Sequence, residues 1–157
     1  MTHTITALVE NQPGVLARIV GLISGRGYNI ESLSVAPTQD PTVSRMTILV
    51  PGDDRVIEQV TKQLNKLVDV VKVTDLTTQA HISRELLLVK VNTPRGKRSE
   101  VIELSSLFNA RIVSVQAGAL LIQTVDTQEA VDEFIELLKP YGLIDVSRSG
   151  VIAMGKD

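Results

Sequence analysis

The sequence predicts an α+β protein made of two tandem ferredoxin-like units, each running β-α-β-β-α-β. Two observations carry this. The order of apolar patterns in roughly the first half of the 157 residues recurs in the second, with a polar stretch, residues 77–83, between them. Apolar residues make up 43% of the chain but aromatics only 3%, so the core must be Val, Ile and Leu, which suits sheets with helices packed on them. The length fits one ordinary domain or two small ones.

The apolar run Ile5 to Val9 is rich in β-formers and reads as the first strand. Asn11, Gln12, Pro13 and Gly14 then punctuate the chain, and Val15, Leu16, Ile19, Val20, Leu22 and Ile23 follow at helical spacing. Pro13 suits a first helical turn, Asn11 is placed to cap it, and Gly14 lets a ligand or another backbone come close. A helix start delivered in this way presents free N–H groups and a positive dipole end, which attract a carboxylate or a phosphate. The same spacing also describes a plain helix start. Gly27 is expected as a left-handed residue ending the helix, and Tyr28-Asn29-Ile30 as the opening of the second strand. A β-α-β turn is expected to bring Asn29 back toward the ligand end of the helix or toward a neighbouring subunit.

Pro37 to Pro41 reads as a turn and Val43 to Val50 as a strand, with Met46, Ile48 and Val50 opposed to Arg45, Thr47 and Leu49. Pro51 to Asp54 breaks it, and an aspartate there can cap a helix carrying Val56, Ile57, Val60, Leu64 and Leu67. Asp69 to Leu76 closes the first unit, residues 1–76. The second unit, residues 77–157, opens with the linker. Its strands are expected at Glu85 to Val91, Ala110 to Val115, Ala119 to Val125 and Leu143 to Val146, the last followed by a tail. Its helices carry Val101, Ile102, Leu104, Leu107 and Phe108, then Ala130, Val131, Phe134, Ile135 and Leu138, the latter capped by Thr127.

Composition removes several function classes. The net charge is −2 and the strongest basic run is Arg95-Gly96-Lys97-Arg98, which argues against a nucleic-acid footprint. No apolar run approaches the ~20 residues that span a bilayer, and no signal-peptide pattern opens the chain, so a cytoplasmic protein without membrane contact is expected. Cysteine is absent. His3 and His81 are far apart and expected as solvated surface residues. Gly25-Arg26-Gly27 lacks the rest of a dinucleotide fingerprint, and Gly96-Lys97-Arg98-Ser99 is not a P-loop. Asp53-Asp54, Asp126 and Asp132-Glu133 read as helix starts and solvated faces, with a divalent cation at Asp53-Asp54 left open. No catalytic constellation emerges. A binding or regulatory module, with no cofactor and no metal of its own, is the expectation.

At this point the residues are specific enough for a resemblance. Residues 4–76 resemble an ACT domain, the small-molecule-sensing module of amino-acid metabolism. The stretch ENQPGVLARIVGLISGRGYNIESLSVAPTQDPTVSRMTI, then QLNKLVDVVKV, RELLLVKV and RSGVIAMGK, resembles the regulatory small subunits of acetohydroxyacid synthase, also called acetolactate synthase. That resemblance implies a non-catalytic subunit that activates a catalytic large subunit and confers feedback inhibition by valine in branched-chain amino-acid biosynthesis. The partner would carry thiamine diphosphate, Mg²⁺ and FAD, and condense pyruvate with pyruvate or 2-oxobutyrate. It also implies a homodimer through ACT domains, with the effector bound where two of them pair. By carry-over, Asn11, Gly14 and Asn29 lie nearest the effector, Gln12, Pro13, Val15 and Leu16 complete the loop and helix start, and Leu16 or Ile30 lines the apolar end.

Three other readings compete. A stand-alone ACT sensor acting on another client enzyme is opposed by the long RGYNIESLSVAPT match and by the second unit. An RNA-binding ferredoxin-like protein would stack bases on sheet aromatics, which these strands lack. A free-standing enzyme has no constellation to support it.

Overall fold

The computed structural model describes all residues, 1–157, and the chain divides into two compact units. One comprises Met1–Ile82 together with Val151–Asp157, the other Ser83–Gly150. Both boundaries fall inside strands.

In the first unit β1 (Thr2–Glu10), α1 (Val15–Gly25), β2 (Ser32–Pro37), β3 (Val43–Pro51), α2 (Asp54–Asn65) and β4 (Val70–Asp75) follow one another. The sheet order is β2-β3-β1-β4, with β3 antiparallel to both β1 and β2, so β2 runs parallel to β1. Alternate residues of the two central strands, Ile5, Ala7 and Val9 with Met46, Ile48 and Val50, turn to one face. There they meet Val15, Ile19 and Ile23 of α1 and Ile57, Val60 and Leu64 of α2, and these residues form one buried core. Truncating a side chain such as Ile19, fully buried, would cost about 2–5 kcal/mol. Thr47 and Leu49, on the opposite parity of β3, are buried as well.

Several local expectations hold. Asp53 caps α2, its carboxylate accepting from the Val56 N–H at 3.0 Å, an interaction worth about 1 kcal/mol. Gly27, at φ 80, closes α1: its N–H donates to the Ser24 carbonyl, and the Tyr28 N–H donates to the Ile23 carbonyl. This pair of bonds is a Schellman motif.

Others are corrected. α1 starts at Val15, so Pro13 lies in the preceding turn, outside the helix. Asn11 does not cap: the N-cap is Gly14, left-handed at φ 84, and Asn11 instead donates from its side chain to the Pro41 carbonyl at 2.9 Å. Its own N–H donates to the Thr42 carbonyl. Tyr28, Asn29 and Ile30 precede β2 rather than open it. His3 is buried, not solvated, because β1 begins at Thr2 and places it on the same parity as Ile5, Ala7 and Val9. His81 is the first residue of a strand and half-buried.

The second unit repeats the order with β5 (His81–Asn92), α3 (Arg98–Leu107), β6 (Arg111–Val115), β7 (Ala119–Asp126), α4 (Gln128–Leu138) and β8 (Leu143–Gly155). Its sheet order is β6-β7-β5-β8. Leu87, Val89 and Val91 of β5 with Leu120 and Ile122 of β7 pack against Val101, Val131, Phe134 and Leu138. Phe108 stacks on Phe134 with ring centroids 5.0 Å apart. Thr127 caps α4 by accepting from the Ala130 N–H. The expected tail is strand: β8 continues to Gly155, and its last residues belong to the first unit. There the Val151 N–H donates to the Ser32 hydroxyl, the Lys156 N–H donates to the Ala80 carbonyl, and Val151 and Ala153 are buried.

Candidate functional site

The start of α1 differs from that of each of the other three α-helices. α2 has a carboxylate cap and Asp54 in its first turn, α4 has a hydroxyl cap and Glu129, and α3 has Glu100. α1 has no side-chain cap and no acidic residue in its first turn. The Val15 N–H reaches the Gln12 carbonyl at 3.3 Å and the Arg18 N–H the Gly14 carbonyl at 3.0 Å. The N–H groups between them, of Leu16 and Ala17, have no partner within the helix. An uncompensated positive dipole end and free donors favour an anion there.

A small groove of about 200 Å³ adjoins this terminus. Asn11, Gln12, Val15 and Leu16 line one side. The rest comes from the ends of three strands: Val9 and Glu10, then Val35, Ala36 and Pro37, then Ser44 and Met46. The common direction of β1 and β2, each antiparallel to the β3 between them, explains this, because it sets the last residues of both strands beside the helix start. These strand-end residues escape a motif reading. The signal that finds them is topological: in a β-α-β unit the C-terminal ends of both strands share one edge with the helix N-terminus.

Polarity in the groove is divided. Asn11 spends its amide N–H on Pro41, which leaves its Oδ1 as an acceptor, and Glu10 adds a carboxylate. Val15, Val35 and Met46 supply apolar surface, and Val35 and Leu16 are themselves 39% and 40% exposed. Gly14 carries the left-handed turn, and a Cβ built there meets nothing within 4 Å.

Of the sequence-predicted positions, Asn11, Gln12, Val15 and Leu16 are gathered in the groove, and Pro13 and Gly14 form the turn beside it. Asn29 and Ile30 are not brought there. They follow the C-terminal end of α1, so within one chain the turn does not return Asn29 to the helix start. Asn29 is exposed and Ile30 packs partly against the core. No helix of the chain is long and apolar enough to cross a membrane.

The fold and this terminus define a protein with an ACT domain followed by a second ferredoxin-like unit. Residues 5–72 match the model of the AHAS small subunit-like ACT domain, and residues 84–157 match that of the small subunit of acetolactate synthase. The chain is 49% identical over 154 residues to a probable acetolactate synthase small subunit of Archaeoglobus fulgidus, covering 98% of this chain and 96% of that one. It is 47% identical to the acetolactate synthase small subunit of Aquifex aeolicus, covering 99% and 81%. The crystal structure of the acetolactate synthase small subunit from Thermotoga maritima superposes with a TM-score of 0.89 at 35% identity, covering 100% of this chain and 98% of that one. The chain belongs to the family of acetolactate synthase small subunits.

Proposed function

We propose that this chain is the regulatory subunit of an acetolactate synthase: it binds and activates a catalytic large subunit and conveys feedback inhibition by a branched-chain amino acid, valine first. Family membership supports the partner. The single observation that supports the effector is the uncapped, acid-free start of α1 opening into a groove with divided polarity.

Valine has a carboxylate, an ammonium group and a short branched side chain. Its carboxylate suits the free N–H groups of Leu16 and Ala17, where the dipole adds about 0.3–1 kcal/mol. The Asn11 Oδ1 and the Glu10 carboxylate suit the ammonium, and Val15, Val35 and Met46 suit the isopropyl group. Asn29 and Ile30 join this site from the second copy of a homodimer that pairs through its ACT domains. Effector sensing and dimerisation are assigned to residues 1–76. The thiamine diphosphate, Mg²⁺ and FAD belong to the large subunit, and residues 77–157 take part in setting the inhibited state. Valine then acts by binding the two states of the complex unequally.

Reconstitution tests this. The chain is mixed with the candidate large subunit, co-purified, and assayed for acetolactate formation with and without valine. Co-purification, stimulated activity and inhibition by valine are expected. Stimulation without any valine response would remove the effector assignment, and no association would remove the partner.

A further inference from the structure

His3 is 2% exposed, yet its Nε2 has no hydrogen-bond partner. It lies on β1 and borders an open groove of about 700 Å³ on the α2 side of the first unit, away from the start of α1. Asp54, Glu58, Asp75, Thr61 and Lys62 border the same groove. A buried imidazole nitrogen without a partner bears its full desolvation penalty, so it calls for something in the groove to bind.

Its other nitrogen fixes the chemistry. Nδ1 lies 3.1 Å from Oδ2 of Asp75. The Thr77 N–H donates to Oδ1 of the same carboxylate at 3.0 Å. Burial alone would push the Asp75 carboxyl up, but the bonds from Thr77 and from His3 outweigh it and hold it below the ordinary carboxylate range. Oδ1 of Asp75 already accepts from Thr77, which leaves Oδ2 for Nδ1 and Nε2 as the ring nitrogen without a partner. Facing Nε2, 3.7 Å away, is Oδ1 of Asp54. An imidazole nitrogen and a carboxylate oxygen brought together at the edge of a groove are both metal-ligand types.

We propose that His3 and Asp54 are the protein ligands of a single divalent transition-metal ion, of the zinc class, with Glu58 and water completing an open coordination shell. Donor atoms around a tetrahedral zinc, with bonds of about 2.0–2.1 Å, lie roughly 3.3 Å apart. The observed 3.7 Å is a few tenths of an ångström longer, and the Asp54 side chain, 98% exposed, is free to move by that amount. Glu58 follows Asp54 by four residues on α2, so the two share a helix face. No three His, Asp or Glu side chains are already gathered as a cage. The site is therefore open rather than closed. Asp75 is the outer partner that holds the imidazole in its liganding tautomer, the arrangement usual for metal-bound histidine. A nitrogen donor with carboxylates favours zinc, cobalt or manganese over calcium, which prefers all-oxygen shells. Bound there, the ion ties the first turn of α2 to β1.

Zn²⁺ titrated into the full chain by calorimetry reads the site, with Co²⁺ as a spectroscopic probe. One saturable equivalent is expected, with a rise in melting temperature. Asp75→Asn should weaken binding by about tenfold to a hundredfold. His3→Gln should abolish it, and His81→Gln should leave it unchanged. Because replacing buried His3 also perturbs the core, Asp54→Asn, at an exposed position, is the decisive variant: it should lose most of the affinity while the folded chain is kept. The absorption bands of bound Co²⁺ should change in Asp54→Asn and vanish in His3→Gln. Absence of saturable binding by the wild-type chain would overturn the proposal, and so would wild-type affinity in Asp54→Asn or His3→Gln.

Discussion

Gly14 and Asn29 stand at opposite ends of α1. Gly14 immediately precedes the helix, Asn29 follows the Gly27 that closes it, and the eleven residues between the ends span about 16 Å. A ligand of valine's size at the helix start does not reach Asn29 of the same chain. The two positions serve one site only if a second copy contributes one of them.

Gly14→Asp is expected to abolish valine inhibition while leaving activation of the large subunit largely intact. The aspartate repels the effector carboxylate and fills space beside the helix start. The substitution also carries backbone strain, about 1–3 kcal/mol, because Gly14 sits at φ 84. Gly14→Ala separates the two effects, since it carries the strain without the charge. Valine titration of reconstituted activity with both variants is the check, and undiminished inhibition in Gly14→Asp would take Gly14 out of the site.

Asn29→Ala should leave the fold alone, because Asn29 is exposed and surface substitutions usually fall within about ±0.5 kcal/mol. In the dimer it removes an acceptor for the ammonium, at a cost of roughly 1–3 kcal/mol, or about a tenfold to hundredfold loss of affinity. Calorimetry with valine and a melting curve together test this. Unchanged affinity would count against the role of Asn29.

In the second unit, Glu85 is 3% exposed and is held by the Arg148 guanidinium, whose Nε donates at 2.8 Å, while Arg148 also meets Asp132 at 2.8 Å. Burial pulls the Arg148 pKa down, but the two carboxylates outweigh it and raise it. Arg148→Met strands a buried carboxylate. Breaking such a pair costs about 3–5 kcal/mol when both partners are buried, and about 2–3 is expected here because Arg148 is one-third exposed. The double variant Glu85→Leu with Arg148→Met should recover most of that loss. Denaturant unfolding of the three proteins measures it, and a double variant no better than Arg148→Met would contradict the assignment.

Asp75 gives a pH dependence with a definite sign. Its folded pKa is lowered, so its contribution to stability is complete above the unfolded value, about 3.9, and is lost as pH falls through the folded one. The stability gap between wild type and Asp75→Asn should therefore be full near neutrality and narrow below about pH 4. Melting curves across that range decide it. A gap that widens on acidification would mean that Asp75 is not held ionised.

The sequence made the two β-α-β-β-α-β units legible because their apolar periods are long and change cleanly between two and three to four residues. The ends were less legible. β1 extends back to Thr2, and His3, a polar residue on a core parity, interrupts the apolar signal that marks a buried strand. β8 runs through Ser147, Arg148, Ser149 and Gly150, which read as a polar tail, yet its last residues are buried in the first unit, where the Val151 N–H donates to the Ser32 hydroxyl. Asn11 has the composition of a cap, but the Thr42 and Pro41 carbonyls claim its donors, and those partners lie some thirty residues away. In the candidate site, the turn from Asn11 to Leu16 was readable from local chemistry. Val35, Ser44 and Met46 were not, because they arrive through strand pairing.

An effector site shared between two copies has a distinctive signature in mixed dimers. As homodimers, Gly14→Asp chains should lose valine binding and Asn29→Ala chains should bind valine about tenfold to a hundredfold more weakly. A dimer containing one of each has one site with both defects and one site with neither, because the intact Gly14 of one copy meets the intact Asn29 of the other. Valine calorimetry on the re-mixed proteins should recover binding of near wild-type affinity at one site per mixed dimer. No recovery on mixing, with dimer exchange verified, would place Gly14 and Asn29 outside a common site.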